Sequence, residues 1–273
     1  MANSKLNPPY EMKQLELLEP FSVVKYMFET AGVAIDYSDV KAFWSHHWEV
    51  GSPWASDTTA TDQHIPLGLH GDAAKVRQVA FQPAEKVLGI WLNAPLWRPK
   101  SVRASRWLLC AIHEADLYQH HTLNSIYHRI VWSLNCLHDG LYPSTGPSGE
   151  QLEGIQKERA GTPICGGKKN SVTEVRADWL YHKQLLRFRS SWSGGAKVTV
   201  CFQCPAWNSG PCRFYDVSET SPLWTKQYTL VEFLAQQMPQ KDPCAQVSLY
   251  SFTFLSSFSE LPCTGKACIL LYG

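Results

Sequence analysis

Residues 121–140, "HTLNSIYHRIVWSLNCLHDG", constrain the fold more than any other stretch of the chain. Leu123, Ile126, Tyr127, Ile130, Val131, Leu134 and Leu137 recur every three or four positions, which is the stripe of a helix with one buried face. Gly140 then supplies a residue that tolerates the left-handed conformation of a helix end. Such a stripe needs an apolar surface to cover. Three strand candidates precede it, "IPLGLHG" (65–71), "KVLGIWLNAPLW" (86–97) and "SRWLLCAIHEAD" (105–116), and a fourth, "SVTEVRADW" (171–179), follows. Three strands, a long amphipathic helix and a further strand predict an α/β domain with a helix packed on one face of a sheet.

The segments on either side are less regular. "LEPFSVVKYMFETAG" sets Phe21, Val24, Met27 and Phe28 at helical spacing, and Gly32 stops it. "SDVKAFWSHHWEV" reads as a second helix with Ser38 as N-cap and an aromatic face of Phe43, Trp44 and Trp48. His46 and His47 are neighbours in sequence, so on a helix they diverge by about 100° and read as surface or packing residues rather than a ligand pair. Residues 1–60 thus form an N-terminal helical segment, 61–240 the α/β core, and 241–273 a Ser/Phe-rich tail unlike the rest, either a final hairpin or the altered end of a longer protein.

A formal net charge of +1 over 273 residues gives no global attraction to nucleic acid or membrane, so a polyanion site must come from local clustering. No run approaches the roughly 18 apolar residues that span a bilayer. The polar N-terminal residues lack the apolar core of a secretory signal, and nine cysteines is an odd number for a disulfide framework, which predicts reduced thiols in an intracellular protein. Metalloprotease, nucleophile-elbow and Gly-rich phosphate-loop motifs are absent from the sequence.

Two apolar strands each run into an acid, "LGLHGD" at Asp72 and "TEVRAD" at Asp178. On neighbouring strands the two carboxylates would converge at one edge, where hard oxygen ligands hold Mg²⁺ or Mn²⁺ and a pair of such ions clamps a phosphodiester displacement. Equally, Asp72 can be a turn residue and Asp178 a helix N-cap, because "DWLYHKQLLRF" reads as a helix. Cys201 and Cys204 form a C-x-x-C, with Cys212 a short loop later. Zn²⁺ wants four ligands, which leaves His182, Cys165 or a more distant residue for the fourth, and unligated core cysteines explain the pattern as well. A redox dithiol fits poorly, since the pair lacks the context of a helix N-terminus after a strand. Arg98, Lys100, Arg103 and Arg106, flanked by Trp97 and Trp107, and Lys168 with Lys169, are candidate nucleic-acid contacts. They are also what a solvated hairpin connection looks like.

The order of these parts resembles the transposase-like proteins of eukaryotic cut-and-paste elements, notably the Plavaka and Kyakuja groups and their transposon-derived relatives. The matching residues are the strand ending "HGD", the helix "TLNSIYHRIVWSL", the strand ending "RAD" and the C-x-x-C about twenty residues beyond it. The resemblance covers residues 20 to 225. It implies an RNase H-like mixed sheet flanked by helices, with a small zinc-knuckle-like cysteine segment inserted near 197–216. It makes Asp72 and Asp178 the first two metal-binding acids of a DDE-type triad, and Cys201 and Cys204 the zinc pair, with Cys212 beside them. Two departures stand out. "RAD" replaces a glycine before the second acid, and the third acid has no clear counterpart; Glu232 in "TLVEFLAQQM" is the nearest. The expectations are therefore a DNA partner, nuclear localisation by analogy, and either a non-catalytic descendant or an active metal-dependent strand transferase or nuclease. An unrelated α/β binding protein is the third possibility.

Overall fold

The computed structural model describes residues 14–52, 55, 58–77, 85–117, 119–177, 181 and 271–272. The chain divides into two compact units, 1–177 with 264–273 and 178–263. The elements that follow belong to the first.

Helix α1, Pro20–Glu29, begins on a proline, whose fixed φ suits the first helical position. Its Phe21, Val23, Val24 and Met27 are buried. Helix α2 spans Tyr37–Glu49 and is capped by Asp36, not by Ser38: the Ser38 backbone N–H donates to Asp36 Oδ1 at 2.8 Å. That bond holds the Asp36 carboxyl below the usual carboxylate range. Trp44 is fully buried among Val40, Ala55, Ala60 and Ile65, and its indole N–H donates to the His64 carbonyl at 2.7 Å. A buried indole needs such an acceptor.

The sheet follows. Strand β1 is His64–Arg77, β2 is Glu85–Asn93 and β3 is Arg106–His113; all neighbours among these three are antiparallel. Helix α3, Gln119–Asp139, carries the chain to β4, Lys169–Ala177, which lies parallel to β1. Between them are the short helix α4, Gly154–Arg159, and a 3₁₀ turn at Cys165–Gly167. A two-residue strand β5, Leu271–Tyr272, is parallel to β4, so the sheet order is β3-β2-β1-β4-β5. The protein is α/β with a mixed sheet.

One face of the sheet is the core. Ile65, Leu67 and Leu69 of β1, Leu88, Ile90 and Leu92 of β2, Leu109 and Ile112 of β3, and Val172 and Val175 of β4 are all buried. So are the seven stripe residues of α3, from Leu123 to Leu137. Ser133 of α3, itself fully buried, accepts the Phe21 backbone N–H at 2.9 Å and fastens α1 to α3. Gly140 takes φ +73, the conformation expected at this helix end.

Two features depart from the sequence expectation. Strand β1 does not turn at Gly71 but stays paired with β2 as far as Arg77↔Glu85. Asp72 is therefore inside a strand and not on a turn tip. In β4 the register steps from Leu67↔Val172 to Gly68↔Glu174, so Thr173 is an extra residue opposite β1. This bulge lets Val172 and Val175, three apart, both be buried where strict alternation would separate them. The Thr173 hydroxyl donates to the Leu67 carbonyl at 3.4 Å within it.

Candidate functional site

The sheet face turned away from the core carries polar and aromatic residues in transverse rows. The first row crosses Arg106 (β3), Asn93 (β2), Gly68 (β1) and Glu174 (β4), consecutive partners in the registers. The second crosses Leu108, Trp91, His70 and Arg176, and the third Ala111, Gly89 and Asp72. Along β1 and β2 successive rows are two residues apart, about 6.6 Å at a rise of 3.3 Å per residue, while on β3 a register shift sets Leu108 and Ala111 three apart.

In the first row a carboxylate is buried: Glu174 is 6% exposed. An unpaired charge there would be expensive, so its contacts matter. Asn93 Nδ2 donates to Oε1 at 3.3 Å, and Arg176 Nη2 pairs with Oε2 at 2.8 Å. Both side chains reach over Gly68, where a Cβ would come within 2.5 Å of Glu174 Oε1 and 2.6 Å of Asn93 Oδ1. Glycine is required at position 68 for that space, not for an unusual φ. The Asn93 Oδ1 itself has no hydrogen-bond partner among the described residues.

The second row is built around His70. Its ring centroid lies 5.6 Å from that of Trp91, and the benzo edge of Trp91 covers Gly89, leaving the indole half-buried. Burial holds His70 below the ordinary imidazole value; Arg106 and Arg176 push the same way, while Asp72 and Glu174 oppose them. One histidine thus feels two cations and two carboxylates across three strands. Leu108 is 42% exposed and Arg176 58%, so both reach water, and beyond Arg176 the register continues to Tyr272 of β5.

Asp72 is exposed on β1. The last registered pair of β1 and β4 is Gly71↔Ala177, and the next residue in each segment is an aspartate, Asp72 and Asp178. Asp178 lies outside the described residues, as do Glu232, His182 and the cysteines Cys201, Cys204 and Cys212. Cys165 is described: it is buried in the 3₁₀ turn at φ +50, and burial pushes its thiol up to about 11. Among the described residues no three His, Cys, Asp or Glu converge as a metal cage.

The basic candidates fall at the other end of the sheet. Arg98 and Lys100 are exposed on the β2–β3 connection, Arg106 opens β3, and Lys169 opens β4 beside His64. The Arg103 side chain lies outside the described residues. Lys168 is spent in part on Tyr37, whose ring centroid is 5.5 Å from its Nζ. Trp97 and Trp107 stack on each other with centroids 4.9 Å apart, so each offers a base at most one face. Four residues separate Gly68, in the Arg106 row, from Asp72, about 13 Å along the strand.

Glu174, Arg176, His70, Trp91 and Asn93 do not emerge from a search for strand-ending acids. A period-two reading finds most of them: "GLHGD" alternates Gly68, His70 and Asp72, and "EVRAD" alternates Glu174, Arg176 and Asp178. No helix of the described residues is long and apolar enough to cross a membrane. No family model, curated protein or solved structure matches the chain.

Proposed function

We infer that the chain is a transposon-derived, RNase H-like protein that binds nucleic acid. The observation that carries this reading is the parallel register of β1 and β4, which ends one residue short of Asp72 and one residue short of Asp178. The resemblance to cut-and-paste transposases asks for two acids carried by neighbouring strands of a mixed sheet, and in sequence Asp72 and Asp178 each directly follow the last registered pair of β1 and β4. The polar rows supply a surface with two arginines and an aromatic ring, groups suited to phosphates and bases. The zinc-knuckle-like segment around Cys201, Cys204 and Cys212 acts as a scaffold in this reading, and the protein works in the nucleus.

The test is retention of DNA by the purified full chain in a gel-shift assay, with zinc analysis alongside. Binding, and about one zinc per chain that is lost in Cys204→Ser, support the reading. A chain that retains no DNA and carries no zinc contradicts it.

A second reading, an active DDE-type nuclease or strand transferase, is favoured by the same pair of aspartates. With Asp72 and Asp178 as ligands, Mg²⁺ or Mn²⁺ would supply Lewis-acid activation of a phosphodiester, and Glu232 would be the third acid. Nicking of supercoiled plasmid by the wild type with either ion, abolished in Asp72→Ala, selects this reading. DNA binding without nicking selects the non-catalytic one.

A further inference from the structure

Resting on the nucleic-acid reading above, we propose that the polar face of the sheet holds one single strand, with Trp91 as the base-stacking platform and Arg106 and Arg176 as the phosphate contacts. The β2–β3 connection, with its denser run of basic residues, is the obvious competitor. Three observations favour the sheet face.

The first is which charges the face presents. Glu174 is buried and fully engaged by Asn93 and Arg176, so it acts as an anchor and not as a repelling charge at the surface. Arg176 keeps more than half its side chain exposed while one end of its guanidinium is fixed to Glu174. A guanidinium held in this way loses less freedom when it takes a phosphate. Arg106 is exposed at the start of β3, and both arginines act electrostatically on His70 between them. Rows 1 and 2 therefore offer an anion two exposed cations and no exposed carboxylate.

The second is the aromatic ring. Trp91 is braced along its edge by Gly89 and stands beside His70, so it is a rigid platform on a strand. Trp97 and Trp107, by contrast, already cover each other.

The third is direction. A strand running along β1 from row 1 to row 3 ends at Asp72, and the row spacing of about 6.6 Å is comparable with the separation of successive phosphates in an extended single strand. The face would thus lead a strand toward the aspartate end.

The experiment is fluorescence anisotropy of a labelled oligothymidylate titrated with the full chain at several salt concentrations. Trp91→Ala is expected to weaken binding about tenfold, and Trp91→Phe to recover most of the loss. Arg106→Gln is expected to lower the slope of log K against log salt by about 0.7, one phosphate contact on a single strand. Arg106 is exposed, so this variant reports on binding even where Trp91→Ala fails to fold. If the wild type binds and both variants bind as it does, while Arg98→Gln with Lys100→Gln loses binding, the sheet-face assignment is overturned and the nucleic-acid reading survives. If the wild type binds neither this oligothymidylate nor duplex DNA, both fall together.

Discussion

Gly68 shows how much a single position controls. It sits between two strands whose polar side chains cross above it, and a methyl group there has nowhere to go. Gly68→Ala should destabilise the fold by about 1–3 kcal/mol through overpacking and a displaced Glu174 contact, read as a lowered urea midpoint at unchanged m-value. An unshifted midpoint would mean the ladder of Asn93, Gly68 and Glu174 is looser than described. His64 makes a prediction in pH. It is buried, its ring lies tilted against that of His138 with centroids 4.4 Å apart, and burial, then His138, then Lys169, bring it down to about 4. Above pH 6.5 the ring is neutral whether the chain is folded or not. As pH falls from 6.5 toward 4 the unfolded chain takes up a proton that the folded one refuses, so stability should fall by about 2 kcal/mol between pH 7.5 and 5. Urea unfolding at the two pH values measures it, and a His64→Asn variant should flatten the difference. Neither residue is conspicuous in sequence: a glycine in "LGLHG" and a histidine ahead of a strand acquire meaning only from what lies on the neighbouring strands.

Among the elements, those whose reason is local were legible and those whose reason is a partner strand were not. The stripe of α3 is a property of its own sequence, and all seven of its predicted residues are buried. The apolar runs of β2 and β3 were legible too, but the readings ran on to Trp97 and Asp116, whereas β2 stops at Asn93 before Pro95 and β3 stops at His113, where a 3₁₀ turn over Glu114–Asp116 begins. Strand β1 was read too short because Asp72 is a poor strand former, yet pairing with β2 carries the ladder five residues past it. The bulge at Thr173 could not be read at all, since an extra residue exists only relative to β1. The cap of α2 was placed two residues late because Ser38 and Asp36 are both good caps, and the backbone N–H chose the carboxylate. Asp36→Ala should accordingly lower the unfolding midpoint and Ser38→Ala lower it much less, a comparison that thermal unfolding of the two variants decides. Leu67, fully buried in β1 opposite Val172, should cost about 2–5 kcal/mol when cut to alanine. A loss below 1 kcal/mol would show that the β1–β4 junction is not packed as described.

At the scale of the whole molecule, function depends on what the mixed sheet brings to one face and one end. Parallel pairing of β1 with β4 aligns "GLHG" with "EVRA", and that alignment sets the buried Glu174 beside Gly68 and the exposed Arg176 beside His70, with Trp91 of β2 on the other side of His70. The sequence reading centred on Asp72 and Asp178 and passed over Glu174, Arg176, His70, Trp91 and Asn93, because a search for acids at strand ends ignores what alternates behind each acid. It also offered the basic residues around the β2–β3 connection as candidates, Arg106 among them, and there Trp97 and Trp107 stack on each other. The most direct test is photo-crosslinking of an oligonucleotide substituted with 4-thiothymidine to the full chain, followed by peptide mapping. Adducts within residues 68–72 and 89–93 are predicted; a chain that gives none, or adducts confined to 94–105, would contradict the account.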